Sequence, residues 1–112
     1  MARYGVEQVF TPQSPKDPTL EEILQDIHGL DRRLQKLEQQ YWMLSEDLYT
    51  LYRLGELEQS RDLIRWVGYY ELRQERQRAY ATALRERLLA LRSASVGHPI
   101  SLRPHLAALT EA

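Results

Sequence analysis

Few residues in this chain could do catalytic chemistry, and their spacing argues against it. The three histidines are His28, His98 and His105. None is paired at i, i+4 with another ligand-type residue, and His98 and His105 have no acidic partner nearby to complete a metal site. Adjacent carboxylates occur at Glu21/Glu22 and at Glu46/Asp47, the kind of pair that general acid–base catalysis uses. Both pairs sit at expected helix starts, where capping and the helix dipole already account for them. The chain has no cysteine, which removes thiolate nucleophiles, disulfides and Cys-type zinc sites and fits a reducing cytoplasm. No phosphate-cradling glycine loop, nucleophile elbow or His-Glu-x-x-His motif occurs. No catalytic, cofactor-binding or metal-binding residue is therefore assigned, no cofactor is expected, and the expected class is non-enzymatic.

The aromatic residues offer recognition chemistry instead. Seven of the ten fall between positions 41 and 70: Tyr41, Trp42, Tyr49, Tyr52, Trp66, Tyr69 and Tyr70. Two readings stand side by side. They form a local aromatic core, or several face outward as anchors, because Trp and Tyr dominate interface energetics. A helix pair has too little interior to hide all of them, so both can hold.

These residues must be carried by helices. Leu20, Ile23, Ile27, Leu30, Leu34, Leu37, Tyr41 and Leu44 keep three-four spacing, an a/d heptad seam that covers a partner helix. The helix starts at Asp17-Pro18 or at a Thr19-x-x-Glu22 capping box, and ends between Tyr41 and Leu44. Interior Gly29 either admits a close helix or is simply tolerated. Ser45 is the expected N-cap of a short helix, with Gly55 ending it and Leu57 packing back over that end. Ser60 caps a last long helix through Arg92, with Leu63, Trp66, Val67, Tyr80, Leu84, Leu88 and Leu91 on its apolar side. The predicted fold is all-α: a long antiparallel helical hairpin over 19–92 with a short helix at the closed end. Leu34 and Leu37 are expected against the returning segment near Tyr80 to Leu91. An extended arm and linker occupy 1–18, where Tyr4, Val6 and Phe10 belong to a weak strand-like alternation and Pro12, Pro15 and Pro18 follow. A short C-terminal tail occupies 93–112.

Net charge is −1, which argues against bulk attraction to nucleic acid or an anionic membrane. No apolar run approaches the ~18 residues of a membrane span, and Met1 to Gly5 lacks a secretory apolar core, so a cytoplasmic location is expected. Charge is nonetheless segregated. The first and short helices are acidic and the last is basic, through Arg61, Arg65, Arg73, Arg76, Arg78, Arg85, Arg87 and Arg92. This is complementarity within the hairpin, or a surface aimed at a charged partner.

From Leu30 to Leu91 the chain resembles a family of small helical-hairpin proteins of bacteria and archaea. Their genes lie beside toxin genes, and they are regarded as antitoxins or antitoxin-like. The residues that carry the resemblance are Leu34, Leu37, Tyr41, Met43, Ser45-Glu46-Asp47-Leu48-Tyr49, Gly55-Glu56-Leu57, Asp62, Trp66 and Tyr70-Glu71. Trp42 stands where the family has glycine, which predicts a less sharp break between the first two helices.

The resemblance implies an antitoxin-like protein that binds and neutralises a companion toxin encoded nearby. Partner contacts are expected at Tyr4, Val6, Phe10, Tyr49, Tyr52, Trp66, Tyr70, Leu102, Leu106 and Leu109. The N-terminal arm would add a strand to a sheet edge, and the tail would dock as a short amphipathic helix. A domain this thin gains stability from its partner or as a homodimer through the seam. The alternative is a helical structural or scaffold subunit of a larger assembly, such as a phage particle or effector complex. A nucleic-acid-binding hairpin is disfavoured, because the arginines lie on several faces of the last helix.

Overall fold

The computed structural model describes residues 17–104. The expected strand with Tyr4, Val6 and Phe10, and the tail positions His105, Leu106 and Leu109, lie outside the described residues. Three helices follow in order: α1 (Leu20–Tyr41), α2 (Ser45–Arg53) and α3 (Arg61–Ala94). The long helices α1 and α3 pack antiparallel, with the short α2 at the closed end. No strand forms among the described residues.

Of the two expected starts for α1, Thr19 is the one adopted. Its backbone N–H donates to Glu22 Oε1 at 2.9 Å, and the Glu22 N–H donates to Thr19 Oγ1 at 3.1 Å. Two donors that the helix leaves orphaned are satisfied reciprocally. Ser60 does the same work for α3, accepting from the Leu63 N–H at 3.1 Å. Gly55 ends the short helix with φ 72°, as its lack of a Cβ predicted, and the Glu56 N–H returns to the Leu51 carbonyl. Leu57 is half-buried against the core behind it. At Gly29 an added Cβ would meet nothing nearer than an Arg32 nitrogen at 3.8 Å, so no helix approaches there and the tolerated-glycine reading holds.

The seam is real through five of its eight positions. Ile23, Ile27, Leu30, Leu34 and Leu37 are all buried, and Leu20 is half-buried. It stops sooner than its spacing implies. Tyr41 is half exposed, and Leu44 leaves the seam altogether: it is the N-cap residue of α2 and 58% exposed. The cause is Trp42. Its backbone is left-handed, at φ 55° and ψ 46°, and the Met43 N–H bonds back to the Glu38 carbonyl. The break is therefore sharp, contrary to the expectation from the missing glycine.

The expected pairing of Leu34 and Leu37 also needs correction. They share one core with Leu48, Leu63, Trp66 and Val67, not with Tyr80 to Leu91. Antiparallel closure dictates this. Tyr41 bonds to Asp62, Asp31 to Arg73 and Asp26 to Arg76, so the last turns of α1, with Leu34 and Leu37, lie opposite the first turns of α3. The same register brings Leu20 level with about Ala83, and α3 runs on past it for about three turns. Tyr80, just before that point, and Leu84, Leu88 and Leu91 beyond it are half-buried.

The left-handed backbone at Trp42 costs a non-glycine residue about 1–2 kcal/mol, partly offset by the larger unfolded-state freedom of glycine. Trp42→Gly should therefore raise stability by about 0.5–1 kcal/mol, and the melting temperature by a few degrees. Differential scanning calorimetry of the two proteins checks this, and an unchanged or lower midpoint would contradict it.

Candidate functional site

The closed end of the hairpin gathers Tyr41, Tyr49, Trp66 and Tyr70. It is built on one buried polar group. Ser45, expected as the N-cap of α2, is instead its first helical residue, and it is the single buried polar residue among those described. Its hydroxyl donates to Glu38 Oε2 at 2.6 Å and accepts from the indole N–H of Trp66 at 2.8 Å. The Ser45 backbone N–H donates to the same Glu38 oxygen at 2.9 Å. Leu44 has no side-chain acceptor, so the start of α2 is capped from α1 by a carboxylate, where the helix dipole favours negative charge.

Around this network the aromatics divide as two roles. Trp66 was expected at the partner surface. It is only 2% exposed and is the largest fully buried side chain, because its ring fills the junction of all three helices. It packs on Tyr41 with ring centroids 5.5 Å apart. Tyr49 and Tyr70, also expected at the surface, are half-buried against the core with centroids 4.8 Å apart. The Tyr49 hydroxyl donates to Glu71 at 2.7 Å, holding α2 to α3. Tyr52 stays exposed, as does Leu102 beyond α3. Tyr69 lies under the Arg33 guanidinium, which stands 5.7 Å from its ring centre.

Reading the residues missed the most exposed aromatic of the set. Trp42 is 92% exposed, and Leu44 and Leu54, at the two ends of α2, are 58% and 65% exposed. The available signal was its place at a helix end where a glycine would be easier. Beside Tyr41, at the end of α1, lies a cleft of about 210 Å³. Its walls are Met43, Leu48, Leu57, Leu63 and Trp66, and its polar lining includes Glu58 and Asp62 but no basic side chain.

Charge complementarity within the hairpin accounts for part of the segregation. Arg73 Nε meets Asp31 at 2.8 Å, and Arg76 stands 3.8 Å from Asp26. Both pairs are partly exposed, so each contributes at most about 1 kcal/mol. They set register more than stability. Among the described residues no group of acidic or histidine side chains could hold a metal, and no helix is long and apolar enough to cross a membrane. The Tyr41 phenol is raised above its ordinary value of 10.0, first by its hydrogen bond to the Asp62 carboxylate, then by burial and the adjacent negative charge. A tyrosine held protonated in this way is a donor that fixes α1 to α3 rather than a base.

Comparison with protein-family models, curated proteins and solved structures gives no significant match.

Two outcomes follow from this geometry. Ser45→Ala strips the Trp66 indole of its acceptor, and should cost about 1–3 kcal/mol in urea unfolding. In a Trp66→Phe background, where no indole N–H is left unpaired, the same substitution should cost distinctly less. Equal costs in both backgrounds would remove the network from the account. The raised Tyr41 pKa means that its bond stabilises the fold fully below the ordinary tyrosine value and is lost as pH climbs through the folded value. Ultraviolet titration should show a tyrosine ionising above 10.0, and Asp62→Ala should bring it back.

Proposed function

We propose that this protein is a non-enzymatic, antitoxin-like binding protein that neutralises a companion protein toxin by sequestering it. The observation that carries the reading is that three large apolar side chains of the closed end, Trp42, Leu44 and Leu54, are left in water. The resemblance across Leu30 to Leu91 supplies the partner class. The fold supports binding over catalysis because a helical pair offers open grooves rather than a walled site that could retune an acid or base. The thinness of the core supports a labile free protein that its partner stabilises, since binding to the folded state alone raises apparent stability by mass action.

Coexpression tests this. Each open reading frame flanking the gene is expressed with and without the full chain, and growth and co-purification are followed. The expected result is one neighbour that arrests growth alone, is tolerated with the hairpin protein, and elutes with it in a stable complex. Absence of both rescue and complex with every neighbour would overturn the proposal.

A further inference from the structure

The pairs that fix the hairpin register also show what kind of helix α3 takes as a companion. Arg73 meets Asp31 and Arg76 meets Asp26, so a basic helix is matched by an acidic one. That scheme runs out where α1 does. Leu20 opens α1 level with about Ala83, and α3 continues to Ala94, a further stretch of roughly 16 Å at 1.5 Å per residue. Among the described residues no other helix lies along this overhang, because α2 sits at the closed end.

The overhang keeps the pattern of a helix built to be paired. Ala81, Leu84, Leu88 and Leu91 are spaced three, four and three, the a and d positions of a heptad seam. The three leucines are half-buried. A groove of about 380 Å³ follows this face, with Tyr80, Ala81, Leu84 and Leu88 in its apolar lining. Its charged members among the described residues are Arg85 and Arg92. Every charge that flanks the seam is positive. Arg78, Arg85 and Arg92 recur at seven-residue spacing in the e position, and Arg87 takes g. The one acid of the overhang, Glu86, falls at f, on the side of the helix away from the seam. Arg85, Arg87 and Arg92 are exposed and make no ion pair among the described residues.

Charge at e and g decides which helix can cover such a seam, because those positions meet across it. A second copy of this chain is the wrong one. In a parallel pair Arg87 would face Arg92 of the other copy, and in an antiparallel pair Arg85 would face it. Both arrangements set like charges against each other. An uncharged apolar helix would leave the arginines without partners. A helix with an aliphatic stripe flanked by Glu or Asp satisfies seam and arginines together, as α1 does for the earlier part of α3.

We propose that the last three turns of α3 are a docking site for an acidic amphipathic helix of a partner protein, which takes up the seam where α1 ends. This rests on the reading that the protein works by binding another protein, and it names the element of that partner which is held. Leu84, Leu88 and Leu91 receive its aliphatic stripe, and Arg85, Arg87 and Arg92 pair with its carboxylates.

The probe is a phage-displayed library of helical peptides of three heptads, randomised at a, d, e and g and selected on the full chain. Enriched sequences should carry Leu, Ile or Val at a and d and Glu or Asp at e and g. A synthetic copy of one, followed by fluorescence polarisation, should bind the double variant Arg85→Glu/Arg92→Glu about tenfold or more weakly. Added salt should weaken its binding to the parent chain. A version of the peptide with its acids changed to lysine should recover binding on the double variant and fail on the parent, which a disrupted α3 could not produce. Both arginines are exposed, so circular dichroism should show unchanged helix content. Failure to enrich any sequence, enrichment without acids, or undiminished binding to the double variant overturns the proposal. So does dimerisation of the parent chain, in light scattering, that Leu88→Asp abolishes, since the occupant would then be a second copy. Nucleic acid bound by the parent chain and released by the double variant overturns it too, since the arginines would then hold phosphates. If coexpression finds no toxin but acidic helices still bind here, the antitoxin reading alone fails. If a toxin complex forms and survives Arg85→Glu/Arg92→Glu unchanged, only the docking site fails.

Discussion

The Ser45 hydroxyl is where the three helices are joined, and the rest of the closed end is arranged around it. It accepts from Trp66 on α3 and donates to Glu38 on α1, while Ser45 itself opens α2. A buried indole N–H without an acceptor costs more than a formed hydrogen bond contributes, so the three groups constrain one another. Hydrophobic packing among Leu34, Leu37, Leu48, Leu63 and Val67 supplies most of the favourable energy, but it is non-directional. The hydrogen bonds choose one arrangement from those that packing would allow. They also explain how α2 begins straight after Leu44, a residue whose side chain cannot cap.

Once the closed end is set, the register of the long helices follows. Asp31–Arg73 and Asp26–Arg76 lie along the same antiparallel alignment that starts at Tyr41 and Asp62. These pairs are half in water and weak individually. Their consequence is geometric, because they leave the last turns of α3 extending past the first turn of α1. The acidic character of α1 and the basic character of α3 are thereby partly spent within the hairpin. The closed end keeps an acidic excess that the hairpin does not neutralise.

The same junction exposes what it does not need. Trp66 turns inward and fills the centre, while Trp42, four residues after Glu38, is turned out by its own backbone. Two tryptophans of similar intrinsic hydrophobicity thus end at opposite extremes of exposure. Their different fates separate the part of the aromatic cluster that holds the helices together from the part that is available to another molecule.

The elements were legible in the sequence because their signals are local. Three-four spacing placed Ile23 through Leu37 on one face, Thr19 with Glu22 and Ser60 marked two helix starts, and Gly55 marked an end. Each depends on residues within one or two turns, so periodicity and capping chemistry suffice to read them. Ser45 and Trp66 were misplaced for the converse reason. Their roles depend on residues seven to twenty-one positions away, and no local pattern carries that information. The partners of Leu34 and Leu37 likewise became known only when the hairpin closed, since the connecting segment decides how far one helix slides along the other. Trp42 shows the boundary most plainly: its identity was visible from the start, but only the folded backbone shows that it ends a helix left-handed and stands in water.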